Sequence, residues 1–172
     1  MTRKNKAINA VEYTGIVTLS QYIGEKKIQI AKVHNAGSYS LFSFFADCLV
    51  GSFDVARMNR PTKIRLLSAD PENPGNYIAE SGFIHQTTNP EKVYSTSKGT
   101  VRYSFLIPRD IVSGTNAQID YIGLYANSAT EEEVNEFSAI VGMSVDSSAV
   151  TISSAALVEW ELNISNKNKE TE

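Results

Sequence analysis

Cysteine is almost absent: Cys48 is the only one in 172 residues. That excludes an internal disulfide, and with two histidines, His34 and His85, it leaves no plausible zinc set. Excess charge of either sign is missing too. Sixteen Lys and Arg against nineteen Asp and Glu give a net charge of −3, too small to argue for nucleic acid or an anionic membrane from bulk charge. Long apolar runs are lacking. The longest, "LFSFFADCLV", is interrupted by Ser43 and Asp47 and falls short of membrane-spanning length. The basic start "MTRKNK" leads into the mixed stretch "AINAVEYTGIVTLS" and not into an apolar h-region, so a soluble chain without a secretory signal is expected.

Catalytic signatures are missing as well. The chain has no Gly-x-Ser-x-Gly elbow, phosphate-binding loop, dinucleotide fingerprint or His-Glu-x-x-His. Nothing assembles a nucleophile, a base and an oxyanion site, so an enzyme is not expected. His34 and His85 read as hydrogen-bonded strand residues, and Cys48 as a buried, inert thiol. "DPENPGN" offers Asp70, Glu72, Asn73 and Asn76 as oxygen donors, but their spacing is not that of an EF-hand loop. A proline-rigid turn explains this loop better than calcium does, and no cofactor is expected. The Asn163-Ile164-Ser165 sequon would matter only in a secreted eukaryotic chain.

What the chain does have is strands. "AVEYTGIVTLSQYI" places Val11, Tyr13, Val17 and Leu19 in one phase, and "KKIQIAKVH" follows a turn at Gly24. The apolar phase of the second run slips between Ile30 and Val33, which predicts a bulge near Ala31. "TKIRLLSA", "NYIAESGFIHQTT", "TVRYSFLIP", "QIDYIGLYA", "FSAIVGMSV" and "AVTISSA" continue the series between turn-forming stretches. The last strand holds the only tryptophan. In "SAALVEWELNISN", Val158, Trp160, Leu162 and Ile164 alternate with Glu159, Glu161, Asn163 and Ser165, one face dry and one wet.

One segment breaks the period of two. "SYSLFSFFADCLVGS" sets Leu41, Phe42, Phe45, Cys48 and Leu49 at helical spacing, with Gly51 just past the end. A helix over residues 39–50, apolar around most of its circumference, is predicted. "TEEEVNEF" opens with a capping box, Thr130 and Glu133, and predicts one short helical turn. The expected architecture is an all-β, antiparallel β-sandwich (jelly-roll-like) with one inserted apolar helix. It divides into an N-terminal arm over 1–8, a sandwich domain over 9–166 and a polar tail over 167–172.

Basic residues cluster in "RMNRPTKIR", where Arg57, Arg60, Lys63 and Arg65 lie within nine residues. Lys63 and Arg65 alternate with Ile64 and Leu66, so they read first as the wet face of a strand. An acidic protein partner comes second and nucleic acid a distant third. Together with Arg3, Lys4 and Lys6 of the basic arm, these four are the candidate partner-binding residues.

The order "VHNAGSYSLFSFFADCLVG", "RPTKIRLL", "YSFLIPRD", "IDYIGLYA" and "ALVEWELNIS" resembles structural proteins of tailed bacteriophages, closest to small capsid-auxiliary and head proteins of the crAss-like phages. The resemblance spans about residues 28–166 and carries no catalytic residues. It implies a virion building block, made in the bacterial cytoplasm, whose partners are the major capsid protein or other virion proteins in a symmetric assembly of many copies. Neither a membrane nor nucleic acid is implied. The favoured place is the outside of the capsid, as an auxiliary (decoration) protein that reinforces the shell. The neck or tail ring and the base of a fibre are the alternatives. A carbohydrate-binding sandwich, with Tyr77, Tyr94, Tyr103 and Tyr125 as stacking faces, is a further one. The tail after the tryptophan strand is expected to contact a neighbouring subunit.

Overall fold

The structure, a computed structural model, describes residues 10–35, 46, 48–51, 54, 60–95, 98–108, 119–130, 139–145 and 155–167. Among them ten strands form two antiparallel sheets. β1 (Ala10–Ile23) and β2 (Lys26–Asn35) make a hairpin, and β10 (Ala156–Lys167) lies between β1 and β7 (Lys98–Ile107). The short β6 (Glu91–Tyr94) ends this first sheet beside β7. In the second sheet β3 (Pro61–Ala69) is flanked by β8 (Ile119–Ala126) on one side. β4 (Tyr77–Ala79) and β5 (Ile84–His85) flank it on the other, and β9 (Ala139–Val145) follows β8.

Local chemistry explains the first hairpin. Its two-residue loop carries Gly24 at the first position with φ +62°, the position and sign that a type II′ turn requires. The predicted bulge is present: Leu19 pairs with Ala31 and Ser20 with Gln29, which leaves Ile30 as the extra residue. One slip there changes which side chains of β2 face inward, as the change of apolar phase required.

The core lies between the sheets. Val17 and Leu19 of β1, Phe105 and Ile107 of β7, and Val158, Trp160 and Leu162 of β10 form one wall. Ile64 and Leu66 of β3, Ile84 of β5, and Ile119, Ile122 and Leu124 of β8 form the other. Each large side chain buried here contributes roughly 1.5–3 kcal/mol of transfer free energy. Trp160 stands at the centre, opposite Val17 on one side and Tyr103 on the other. The residues after β5 join the sheets at one edge. Gln86 donates its N–H to the Thr62 carbonyl at 3.0 Å and pairs with Phe105, and Thr87 donates to the Ser104 carbonyl at 2.9 Å.

The all-β sandwich is thus as expected, with β1–β10 and β3–β8 as nested long-range ladders. β7–β10 and β3–β5 also pair across intervening segments, whereas β1–β2, β3–β4, β6–β7 and β8–β9 join sequence neighbours, and this order does not establish the jelly-roll connectivity. "NYIAESGFIHQTT" forms two short strands instead of one, and β6 was not foreseen. Of the expected helix, Ala46 and Cys48–Val50 are helical and Gly51 follows with φ +78°. Residues 39–45 and 47 lie outside the described residues. Cys48 is exposed, which corrects its reading as a buried thiol. Leu49 and Val50 beside it are 88% and 76% exposed. Helical spacing establishes which side chains share a stripe, not what covers it. Residues 131–137 of the expected capping turn, residues 149–154 of "AVTISSA", the arm over 1–8 and the end of the tail also lie outside the described residues.

Candidate interaction surface

Of the basic residues singled out in the sequence, the three that are described, Arg60, Lys63 and Arg65, do not gather at one place. Arg3, Lys4, Lys6 and Arg57 lie outside the described residues. Arg60 is exposed, just before β3. Lys63 and Arg65 do project from β3 away from the main core, but they are only 9% and 5% exposed, so their reading as a wet face is corrected. Phe83 covers that face: its ring centroid lies 4.8 Å from Lys63 Nζ and 4.6 Å from Arg65 Cζ. Lys63 Nζ donates to the Ala129 carbonyl at 2.7 Å, and Arg65 Nε to the Ser81 carbonyl at 2.9 Å. Tyr125, Ala126 and Ala129 complete this second, smaller cluster. Both cations are therefore spent on holding loops against the outer face of the second sheet.

The outer face of the first sheet is polar and lies open as a depression of about 490 Å³. Four of the charges that line it are engaged in ion pairs. Lys27 bridges to Glu159, and Arg102 donates to Glu91 at 3.0 Å and to Glu161 at 2.9 Å. Asn163 donates from Nδ2 to Glu161 at 3.2 Å, and its Oδ1 accepts from the Thr100 hydroxyl at 2.7 Å. The Arg102 hydrogen bond holds the Glu161 carboxyl below the usual glutamate range, and Glu161 in turn raises the Arg102 guanidinium further. Both groups stay charged at neutral pH, so neither is poised to transfer a proton.

The other candidate chemistry resolves into structure. Asp70 accepts the backbone N–H of Glu72 at 2.8 Å and of Asn73 at 3.2 Å, and the Asn73 amide at 2.9 Å. These bonds hold its carboxyl below the usual range, with the Asn73 side chain contributing most. The loop turns on its own acidic residue, and Gly75 takes φ +94° to close it. Among the described residues, no group of three or more His, Cys, Asp or Glu side chains could hold a metal ion. His34 and His85 are exposed strand residues. Of the four tyrosines considered as stacking faces, Tyr103 and Tyr125 are buried, and Tyr77 packs edge-on against Tyr121 with centroids 4.6 Å apart. Only Tyr94 presents itself, 75% exposed.

Tyr94 lies at the feature that most invites a partner. Inside β6 and β7 the sandwich gapes in an opening of about 510 Å³. Lys92 and Tyr94 of β6, Val101 of β7, and Leu162 and Ile164 of β10 line it from the first sheet, and Arg60 from the start of β3. Apolar surface predominates, Ile164 is exposed, and no carboxylate among the described residues lines the opening. β6 beside it is the terminal strand of its sheet, with no further strand paired to it among the described residues. The other edge of the sheet, β2, carries Lys26, Lys27 and Lys32 and a bulge; the short β6 carries Glu91 and Lys92 but also exposes Val93 and Tyr94. The strand's own signal was short: Lys-Val-Tyr between Pro90 and the Ser95–Lys98 turn.

Fold and surface together define a two-sheet antiparallel β-sandwich with an open edge strand beside an apolar mouth. In comparisons with family models, curated proteins and solved structures the chain has no match.

Proposed function

We propose that this chain is a structural, partner-binding protein of a tailed-phage virion, seated on the outside of the capsid as an auxiliary protein that reinforces the shell. The observation that carries the partner-binding part is the apolar mouth flanked by β6, the terminal strand of its sheet. An exposed apolar surface beside unpaired backbone groups is the usual mark of a protein–protein contact. The motifs from "SLFSFFADCLVG" to "VEWELNIS" support the virion setting.

The test is to incubate the purified protein with undecorated capsids of a crAss-like phage and count bound copies by cryo-electron microscopy, after recording its mass by light scattering. Copies at lattice-related positions on the shell support the capsid placement. A closed ring in solution with no shell binding moves the protein to the neck or tail. A carbohydrate-binding reading rests on the exposed Tyr94 ring beside Asn89 and Lys92, and specific retention on a glycan array would favour it over both.

A further inference from the structure

The polarity of the mouth and the hydrogen-bond phase of β6 together say what kind of partner fits. Ser95 donates its N–H to the Lys98 carbonyl at 2.8 Å. In an antiparallel ladder, bonded and non-bonded pairs alternate, so Val93–Thr100 and Glu91–Arg102 are the bonded pairs. The β7 side agrees, since the Ser104 carbonyl accepts from Thr87 on the same edge. It follows that the backbone N–H and C=O groups of Lys92 and Tyr94 point away from β7, toward the free edge. The side chains of the same two residues point inward and line the mouth. One pair of residues therefore offers both the template for an added strand and the wall of the opening next to it.

Charge selects among possible strands. Among the described residues Lys92 and Arg60 are the two charged groups that line the mouth, both are cationic, and neither has a carboxylate partner there. An incoming side chain meets positive charge at the rim and Tyr94, Ile164 and Leu162 further in. We infer that β6 accepts, by strand addition, an extended partner segment whose inward-facing positions, every second residue, carry both aliphatic and carboxylate side chains. Backbone bonds to Lys92 and Tyr94 supply register, the aliphatic groups fill the mouth, and the carboxylates reach Lys92 and Arg60. The inference rests on the partner-binding reading and names the chemistry of the partner at that surface.

A short fluorescein-labelled peptide with threonine at every second position and valine and aspartate in turn at the positions between, titrated into the full chain and followed by anisotropy, tests it. Saturable binding is expected, weakening as salt is raised. A counterpart with lysine in place of aspartate should not bind, nor should one N-methylated on the edge that pairs with β6. Lys92→Glu and Tyr94→Ser should each weaken binding about tenfold or more. Both residues are exposed, so the melting temperature of each variant should stay near that of the parent. Hydrogen exchange gives the sharpest readout: the Lys92 and Tyr94 amides gain protection on adding peptide, while the Val93 amide, already bonded to Thr100, does not change. Equal binding of the lysine peptide overturns the inference, as does binding without protection at those two amides. A dimer in which both amides are protected before peptide is added assigns the edge to a second copy and also overturns it. A chain that decorates capsids but ignores the acidic peptide loses this inference and keeps its proposed function; the reverse pattern keeps the edge and loses the capsid.

Discussion

The guanidinium carbon of Arg65 lies 4.6 Å from the centroid of the Phe83 ring, and Lys63 Nζ approaches the same ring to 4.8 Å. Two cations one alternation apart on β3 thus clamp an aromatic side chain that arrives from the loop between β4 and β5. A buried ammonium is tolerable there because it is paired with a π face and donates to the Ala129 carbonyl at 2.7 Å. Lys63→Met keeps much of the stem and removes the donor, leaving that carbonyl short of a partner. It should destabilise the fold by about 1–3 kcal/mol in urea titration. Phe83→Ala should cost a comparable amount and loosen the loop over residues 80–87, visible as faster amide exchange there.

Trp160 is fully buried, and its indole N–H has no hydrogen-bond partner among the described residues. Packing, not hydrogen bonding, holds it, so volume should decide the outcome of substitution. Trp160→Ala is expected to cost about 3–5 kcal/mol. Trp160→Phe leaves no orphaned acceptor behind and should cost clearly less. Since this is the only tryptophan in the chain, the red shift of its emission on unfolding reports the parent's stability directly. A Phe variant as unstable as the Ala variant would show that the indole makes a bond not seen in the described structure.

Gly123 lies under the Tyr125 ring on the outer face of β8. A Cβ placed on it would come within 2.6 Å of Tyr125 Cε2. That ring is not a loose end, since it packs edge-to-face on Phe83 with centroids 5.1 Å apart. Gly123→Ala should therefore destabilise by about 1–3 kcal/mol through displacement of the ring, despite the better strand propensity of alanine. Thermal unfolding of the variant checks this. The double variant with Tyr125→Ala should recover the part due to the clash.

Stability should fall away at both ends of the pH scale for identifiable reasons. The Glu161 carboxyl is held low in the folded chain by Arg102, so its contribution is present above the unfolded glutamate value, about 4.3, and is lost as pH falls through the folded value. Arg102 is partly exposed, which limits the contribution to less than about 1 kcal/mol. Glu161→Gln should flatten the acid limb of the stability profile by that amount. On the basic side, burial pushes the Tyr103 phenol up to about 12. The unfolded phenol ionises near 10, so stability is full below about 10 and is lost as pH rises toward 12. Tyr103→Phe should remove that part of the basic limb, measured as the urea midpoint against pH.

Strand periodicity, the bulge at Ile30, the inward side of Trp160 and the all-β class were all legible in the sequence. Each depends on residues one or two apart, because alternation assigns side chains to opposite faces of a strand whatever surrounds it. The same alternation correctly sent Lys63 and Arg65 to the face away from the main core. It did not reveal that this face is covered, because the cover is Phe83 and Ala129, eighteen or more residues away along the chain and brought over it by the loops after β4 and β8. The edge position of β6 was likewise decided by tertiary structure. Whether a strand lies in the middle of a sheet or at its rim depends on which segments pair with it, and pairing is a property of the folded whole. Local chemistry determined which faces of this protein are apolar; only the packing of distant segments decided which apolar and charged groups remain at the surface to meet a partner.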